Sequence, residues 1–157
     1  MPIRPAKCEG IEEINRLTIQ MHNYLGRLVG VKFSSEDLEE EFLSESESLQ
    51  GIYVAEADGK VVGYVSFSKK THEDEWCGRH YRLDHIIVDE KHRRKGYGTK
   101  LLKILLAIAQ KDNANVVVDA FTKNRGTIEF YKSLGFKPFE TIFLLDRENR
   151  LKLDSSV

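Results

Sequence analysis

The residues best able to do chemistry cluster in "HRRKGYG", His92 to Gly98. Arg93, Arg94 and Lys95 bring positive charge. Gly96 and Gly98 let a backbone approach a ligand with no Cβ in the way. An apolar helical repeat follows at once, so the first N–H groups of a helix point back at the loop. That combination suits an anion, but not every anion. A nucleoside-triphosphate loop requires Gly-x-x-x-x-Gly-Lys-Ser/Thr; here Thr99-Lys100 follows Gly98, and position 93 is arginine rather than glycine. A dinucleotide fingerprint requires a third glycine, where Leu101 stands, and a tight turn, where seven residues separate Val88 from Gly96. Asp119, about 20 residues on, is the feature that matches that fingerprint. A solvated basic loop is the plain alternative.

These groups must be positioned by the elements around them. Ahead of the loop, "YRLDHIIV" reads as a strand, Tyr81 to Val88, with Arg82, Asp84, Ile86 and Val88 on one face and Leu83, His85 and Ile87 on the other. After it, Leu101, Leu102, Leu105, Ile108 and Ala109 mark a helix, and "NVVVDAFT" a buried strand. "RGTIEFYKSLG" is a short helix stopped by Gly135, and "FETIFLLD" a last strand. Upstream, Ile3 sits on an edge strand between prolines. Ile11 to Leu28 repeats its apolar residues at steps of three and four, a helix. Ser34 or Ser35 caps a second helix carrying Leu38, Phe42 and Leu43. Asp58-Gly59 closes a hairpin between two β-rich runs. Strands and helices interleave throughout, so the class is α/β, or α+β mixed: a mixed sheet with helices on its faces.

The totals narrow the function. The chain has 157 residues with 41% apolar, 31% charged and a net charge of -1. That is one domain with a core, over 1–157, without the basic excess of a nucleic-acid binder. Neither a membrane span nor a secretory leader is expected. Cys8 and Cys77 lack metal-ligand spacing, and no metal is expected from His22, His72, His80 or His92, read as surface or loop residues. A reducing, cytoplasmic setting follows.

"HIIVDEKHRRKGYGTKLLKILLAIAQ" resembles the signature segment of the GNAT superfamily of acetyltransferases, whose loop Arg/Gln-x-x-Gly-x-Gly/Ala is matched by Arg93 to Gly98. "NRGTIEFYKSLGFKPFE" is similar to the family's second element through Asn124, Phe130, Tyr131, Gly135 and Phe136, with Thr127 in place of alanine. The opening "IRPAKCEGIEEINRL" and the Asp-Gly hairpin also look like the family's start. The resemblance implies a splayed mixed sheet of six or seven strands with about four helices. It implies acetyl-CoA as donor, an amine as acceptor, and the cofactor between the strands Tyr81–Val88 and Asn115–Thr122. By resemblance, Ile86 and Val88 pair with the pantetheine arm, and Arg93, Arg94, Lys95, Gly96, Tyr97, Gly98 and Thr99 hold the pyrophosphate. Asn124 lies further along the cofactor, and a homodimer is a family-level expectation.

Acyl transfer to an alkylammonium of pKa near 10.4 requires a base, an acid at the leaving sulfur and a donor to the oxyanion. By position in the family element, Tyr131 is the acid and contacts the cofactor sulfur. "RLDHIIV" resembles the Leu-acid-acid-apolar-apolar-Val of the polyamine and thialysine acetyltransferases. Asp84 matches the first acid, a base acting through water, and His85 replaces the second. A β-bulge would turn His85 to the acceptor instead, and bulk water is the third option. Ile86 or Ile87 N–H is the oxyanion donor. The cysteines match neither motif, which leaves direct transfer in a ternary complex.

The acceptor is read from acids. Glu36, Asp37, Glu39, Glu40, Glu41, Glu45 and Glu47, with Glu73, Asp74 and Glu75, would draw a small cationic amine or basic peptide, or else form solvated faces. Trp76 and Tyr81 would add aromatic surface at that mouth or serve the core. The other classes left open are a non-catalytic acetyl-CoA-binding module and, behind it, a dinucleotide-binding domain.

Overall fold

A computed structural model describes residues 2–44, 48–70 and 76–156. Glu45, Glu47, His72, Glu73, Asp74 and Glu75 lie outside them. The described strands are β1 Ile3–Pro5, β2 Ile52–Ala57, β3 Lys60–Lys70, β4 His80–Val88 and β5 Asn115–Val117. The helices are α1 Ile11–Val29, α2 Ser35–Glu40, α3 Tyr97–Lys111, α4 Arg125–Ser133 and α5 Arg147–Ser156. The strands form one sheet in the order β1-β2-β3-β4-β5. All neighbours run antiparallel except β4 and β5, which run parallel. The class is the expected mixed α/β one, with five described strands rather than six or seven.

The chain divides into two compact units, Met1–Lys123 and Asn124–Val157. The first holds the sheet and α1 to α3. Its hairpin turns at Asp58 and Gly59, both at positive φ (51° and 74°), as a two-residue turn matched to strand twist demands. α1 buries Ile14 and Leu17 against Ile52, Val54, Tyr64 and Ile87 on one sheet face. α3 takes the other face, where Leu101 lies against the Gly63 backbone. Leu101, Leu102 and Leu105 are fully buried, each contributing about 2 kcal/mol of transfer free energy. α2 is short but well started: Ser34 and Asp37 form a reciprocal capping box. Beyond α2, the Asn15 side chain holds Leu43 by both its N–H (2.9 Å) and C=O (3.1 Å). Phe42 and Leu43 therefore follow the helix without belonging to it.

The second unit holds α4 and α5. Asp146 caps α5 by accepting from the Asn149 N–H at 2.8 Å. Two expected strands change here and at β5. Asn115–Thr122 keeps strand geometry only over Asn115–Val117, where it meets His80 to Arg82 of β4. Phe139 to Asp146 is not a strand. Ile142, Phe143 and Leu144 are 84%, 90% and 89% exposed. The sequence has β character there, but a ladder needs a partner and none of the described residues supplies one.

Candidate active site

The glycine loop joins β4 to α3 with exposed basic side chains and no acid in the helix's first turn. Asp89 starts it, accepting from the Lys91 N–H at 3.0 Å and pairing with Arg16 of α1 at 3.0 Å. Burial pushes the Asp89 carboxyl up, but Lys91, Arg16 and His92 outweigh it and hold it below the usual carboxylate range. Arg94 and Gly96 then adopt left-handed backbone, with φ of 61° and 86°. For arginine that conformation costs about 1–2 kcal/mol; such strain persists where the surroundings impose it, commonly at ligand sites. Gly96 is the N-cap of α3 and offers no side-chain cap, and no acid occupies the first turn. The positive end of a 15-residue helix is therefore left without a side-chain cap, an arrangement that suits an anion. Arg94, Lys95 and Gly96 are exposed, Gly98 and Thr99 half-buried, and Tyr97 is buried. Arg93 turns back instead: its Nε donates to the Val88 C=O at 3.1 Å and its guanidinium lies 5.6 Å over the Tyr24 ring.

Beside this loop, β4 has an edge that no described strand covers past Arg82. β5 pairs only with His80 to Arg82, so Leu83 to Val88 continue without it. The Asp89 N–H donates to the Val62 C=O of β3 at 2.8 Å. Backbone direction alternates along a strand, so Ile87 also faces β3, while Ile86 and Val88 face the open edge. The Arg93 bond to Val88 marks that edge. Ile87 itself is a core residue with both backbone and side chain turned inward.

A bulge sits at the base of the open stretch. Ser66 pairs with His85 but Phe67 pairs with Leu83, so Asp84 is an extra residue. Tyr81 stays on the face of Phe67, their rings 5.9 Å apart. His85 moves to the face of Tyr64 and α1. Plain alternation, which groups His85 with Leu83, is corrected by this inserted residue. His85 is half-buried, with Nδ1 3.2 Å from the Tyr64 hydroxyl. Asp84 is exposed and accepts from the Ser68 hydroxyl at 3.5 Å.

The second unit carries Asn124 and Tyr131, both buried. Asn124 caps α4, its C=O accepting from the Ile128 N–H at 3.1 Å. The helix ends on Gly135 at φ 95°, with Gly135 N–H bonded to Lys132 C=O (3.0 Å) and Phe136 N–H to Tyr131 C=O (3.2 Å). This αL termination needs glycine and places the Phe136 ring 5.6 Å from the Tyr131 ring, with Phe130 at 5.7 Å. The Gly135-Phe136 pair is thus the clamp on Tyr131.

The sequence profile described as the acetyltransferase (GNAT) family matches residues 6–136. The chain belongs to that family. Human N-acetyltransferase 8 is 31% identical over 102 residues, covering 64% of this chain but 44% of that protein. The chain thus spans less than half of that relative. Among solved structures, the Bacillus halodurans protein BH1408 superposes with a TM-score of 0.77 at 20% identity, covering 93% of this chain and 99% of that one. The aminoglycoside N-acetyltransferase AAC(6')-Iy, in complex with CoA, gives 0.68 at 18% identity, covering 93% and 98%. At these identities the structures establish a shared fold.

Within the GNAT scaffold, three residues outside the motifs cluster with His85. Thr18, His22 and Tyr64 surround His85; the His22 ring meets the His85 ring edge-on at 6.3 Å. His22 was expected on the surface and is half-buried. His80, also expected there, is buried, with Nδ1 2.7 Å from the Gly78 C=O. Thr18 and His22 lie one turn apart on the stripe of Ile14, which is the signal that could have found them. Of the acids beside α2, Asp37 is engaged in the capping box. Of the aromatics expected at the mouth, Trp76 is 95% exposed and Tyr81 is buried, donating to Asp112.

Proposed function

We propose that this chain is an N-acetyltransferase that moves acetyl from acetyl-CoA to a primary amine by direct transfer in a ternary complex. One juxtaposition carries the reading: the open edge of β4 runs directly into a strained, uncapped, basic loop at a helix N-terminus. An extended arm ending in a pyrophosphate fits that pair of features, since the edge offers alternating backbone donors and acceptors and the loop offers N–H groups and charge. Gly96 has open space around the position a Cβ would take. The dinucleotide alternative is disfavoured because Asp119, its ribose ligand, is paired with Arg82. A depression of about 410 Å³ between the hairpin tip and Lys95 is no rival cradle, as Glu56 and Asp58 line it.

Acetyl-CoA supplies an activated thioester; the chain must hold it and manage protons. Ile86 N–H, facing away from β3, polarises the thioester oxygen in this reading. Arg94 to Thr99 hold the pyrophosphate and Asn124 a further part of the cofactor. Tyr131, clamped by Phe136, serves as the acid at sulfur. The bulge offers Asp84 and His85 as candidate bases. Exposed Asp84 and Glu41 favour a cationic acceptor of the polyamine, diamine or aminoglycoside kind. Both units act as one domain over 1–157, as the family match across their boundary supports. Two free cysteines, one of them exposed, suit a cytoplasmic setting.

The test is thiol release from acetyl-CoA with a panel of spermidine, lysine analogues, an aminoglycoside and basic peptides. Turnover with a small cation is expected. Saturable CoA binding without turnover on any amine would replace the enzyme by a module that only binds the cofactor.

A further inference from the structure

A buried hydrogen-bond chain joins α1, β3 and β4. Thr18 Oγ1 donates to the Ile14 C=O at 3.0 Å. The Tyr64 hydroxyl lies 2.8 Å from Thr18 Oγ1 and 3.2 Å from His85 Nδ1. Each hydroxyl has one proton, and this sets the direction of the chain. With the Thr18 proton on Ile14, the Tyr64 proton must go to Thr18 Oγ1. The Tyr64 oxygen then accepts from His85, which places a proton on Nδ1. That sense makes three hydrogen bonds. The reverse sense makes two and leaves Thr18 Oγ1 without a donor. In a buried site the fuller set wins, because each unmade bond leaves a desolvated polar atom.

The lone pair of His85 is therefore on Nε2, which has no hydrogen-bond partner among the described residues. Protonation of Nε2 requires no rearrangement, since Nδ1–H donates to Tyr64 before and after. The groups facing the ring are His22 from α1, Glu41 after α2, Tyr64 from β3 and Asp84 on its own strand. His22 is held by its own Nδ1, 2.9 Å from the Thr18 C=O. Burial lowers the His85 pKa, opposed by Glu41 and Asp84 and reinforced by His22, and it settles below its ordinary value. Tyr64, pushed up by burial to about 12, keeps its proton throughout. Asp84 has no comparable fixation: its one described bond is the 3.5 Å contact to Ser68.

We propose that His85 Nε2 is the general base of this enzyme, and that Thr18 and Tyr64 are positioning residues that hold it in the basic tautomer. The proposal rests on the acetyltransferase reading. An alkylammonium R–NH3+ gives one proton to Nε2. The freed nitrogen lone pair forms the C–N bond at the thioester carbonyl carbon. The C–S bond then breaks with its electrons on sulfur, the Tyr131 hydroxyl gives its proton to the thiolate and takes the second nitrogen proton in its place, and the imidazolium returns its proton to solvent. The products are the amide and the free thiol of CoA.

Two measurements test this on the whole chain. In the first, thiol release is followed from pH 5.5 to 9.5 for wild type, His85→Gln, Tyr64→Phe, Thr18→Val and Asp84→Asn. His85→Gln is expected to lose about 10²- to 10³-fold in kcat, with CoA affinity unchanged and the acidic limb of kcat/KM abolished. Tyr64→Phe leaves Nδ1–H without an acceptor, so the limb moves to lower pH and kcat falls while KM holds. Thr18→Val does the same more weakly, and Asp84→Asn keeps the limb. In the second, nitrogen-15 NMR of the histidines reads the tautomer directly, with no need for turnover. His85 with Nδ1 protonated and Nε2 bare, shifting toward a mixture in Tyr64→Phe, is expected. A wild type that turns over while His85→Gln keeps its limb overturns this inference alone, as does an Nε2–H tautomer. A wild type that releases no thiol with any amine overturns the acetyltransferase reading, and the base with it.

Discussion

Two glycines carry the site at the scale of single residues. Gly96 at φ 86° is the N-cap of α3, where we propose that the pyrophosphate sits. Gly96→Glu adds both a left-handed side chain and a negative charge at that point. Titration calorimetry with CoA should show loss of binding of at least about 100-fold, or about 2.7 kcal/mol; retained affinity would move the pyrophosphate elsewhere. Gly135 at φ 95° has open space around it, so its substitution is opposed by conformation and not by clash. Gly135→Ala should lower stability by about 1–2 kcal/mol and loosen the Phe136 clamp on Tyr131. Thermal melts and the near-UV signal of the aromatics would record both. Tyr131→Phe should lower turnover and leave CoA affinity unchanged, which steady-state rates beside calorimetry would separate; full activity would remove Tyr131 as the acid.

Elements explain which parts of the sequence could be read in advance. α1 and α3 were legible because a long amphipathic repeat is redundant: several leucines and isoleucines must be misread before the helix is lost. The turn into α3 was legible because paired glycines announce a backbone requirement, met at Gly96 by a left-handed φ. The β4 faces were not, since period-two reading assumes an unbroken ladder and a single inserted residue leaves no compositional mark. Phe139 to Asp146 misled for the opposite reason. Its residues favour strand, but strand formation depends on a neighbour that local sequence does not contain. The anchoring of the loop by α1 also escaped, because Arg16 and Asp89 are 73 residues apart. That pair makes a prediction. The folded Asp89 pKa is lowered, so its stabilisation is present above the unfolded value near 3.9 and is lost as pH falls through the folded value. Asp89→Asn should cost about 1 kcal/mol at pH 7. The gap in Tm between variant and wild type should close in acid below the folded pKa.

The whole molecule also responds to acid at a pH closer to neutral. His85 has a lowered folded pKa, so the unfolded chain binds the proton first as pH drops below about 6.5. Stability should decline from that pH down to the folded pKa and then level off, and His85→Gln should flatten the slope in urea titrations between pH 7 and 5. The chain also carries a net charge of -1 and the exposed run at Ile142, Phe143 and Leu144. Weak charge repulsion beside an apolar patch favours self-association. Phe143→Ser should reduce light scattering near neutral pH.

Asp84 has a meaning that its side chain does not exhaust. It is the one residue by which β4 runs ahead of β3, so the two halves of the strand are out of phase and each is in phase with a different helix. Replacing the side chain leaves that offset intact. Removing the codon does not: the strand would have to carry Leu83 toward α1, or His85 toward α3, for want of a spacer. A deletion at position 84 should therefore abolish soluble expression where Asp84→Ala preserves it. For the fold, position 84 matters by its place in the count.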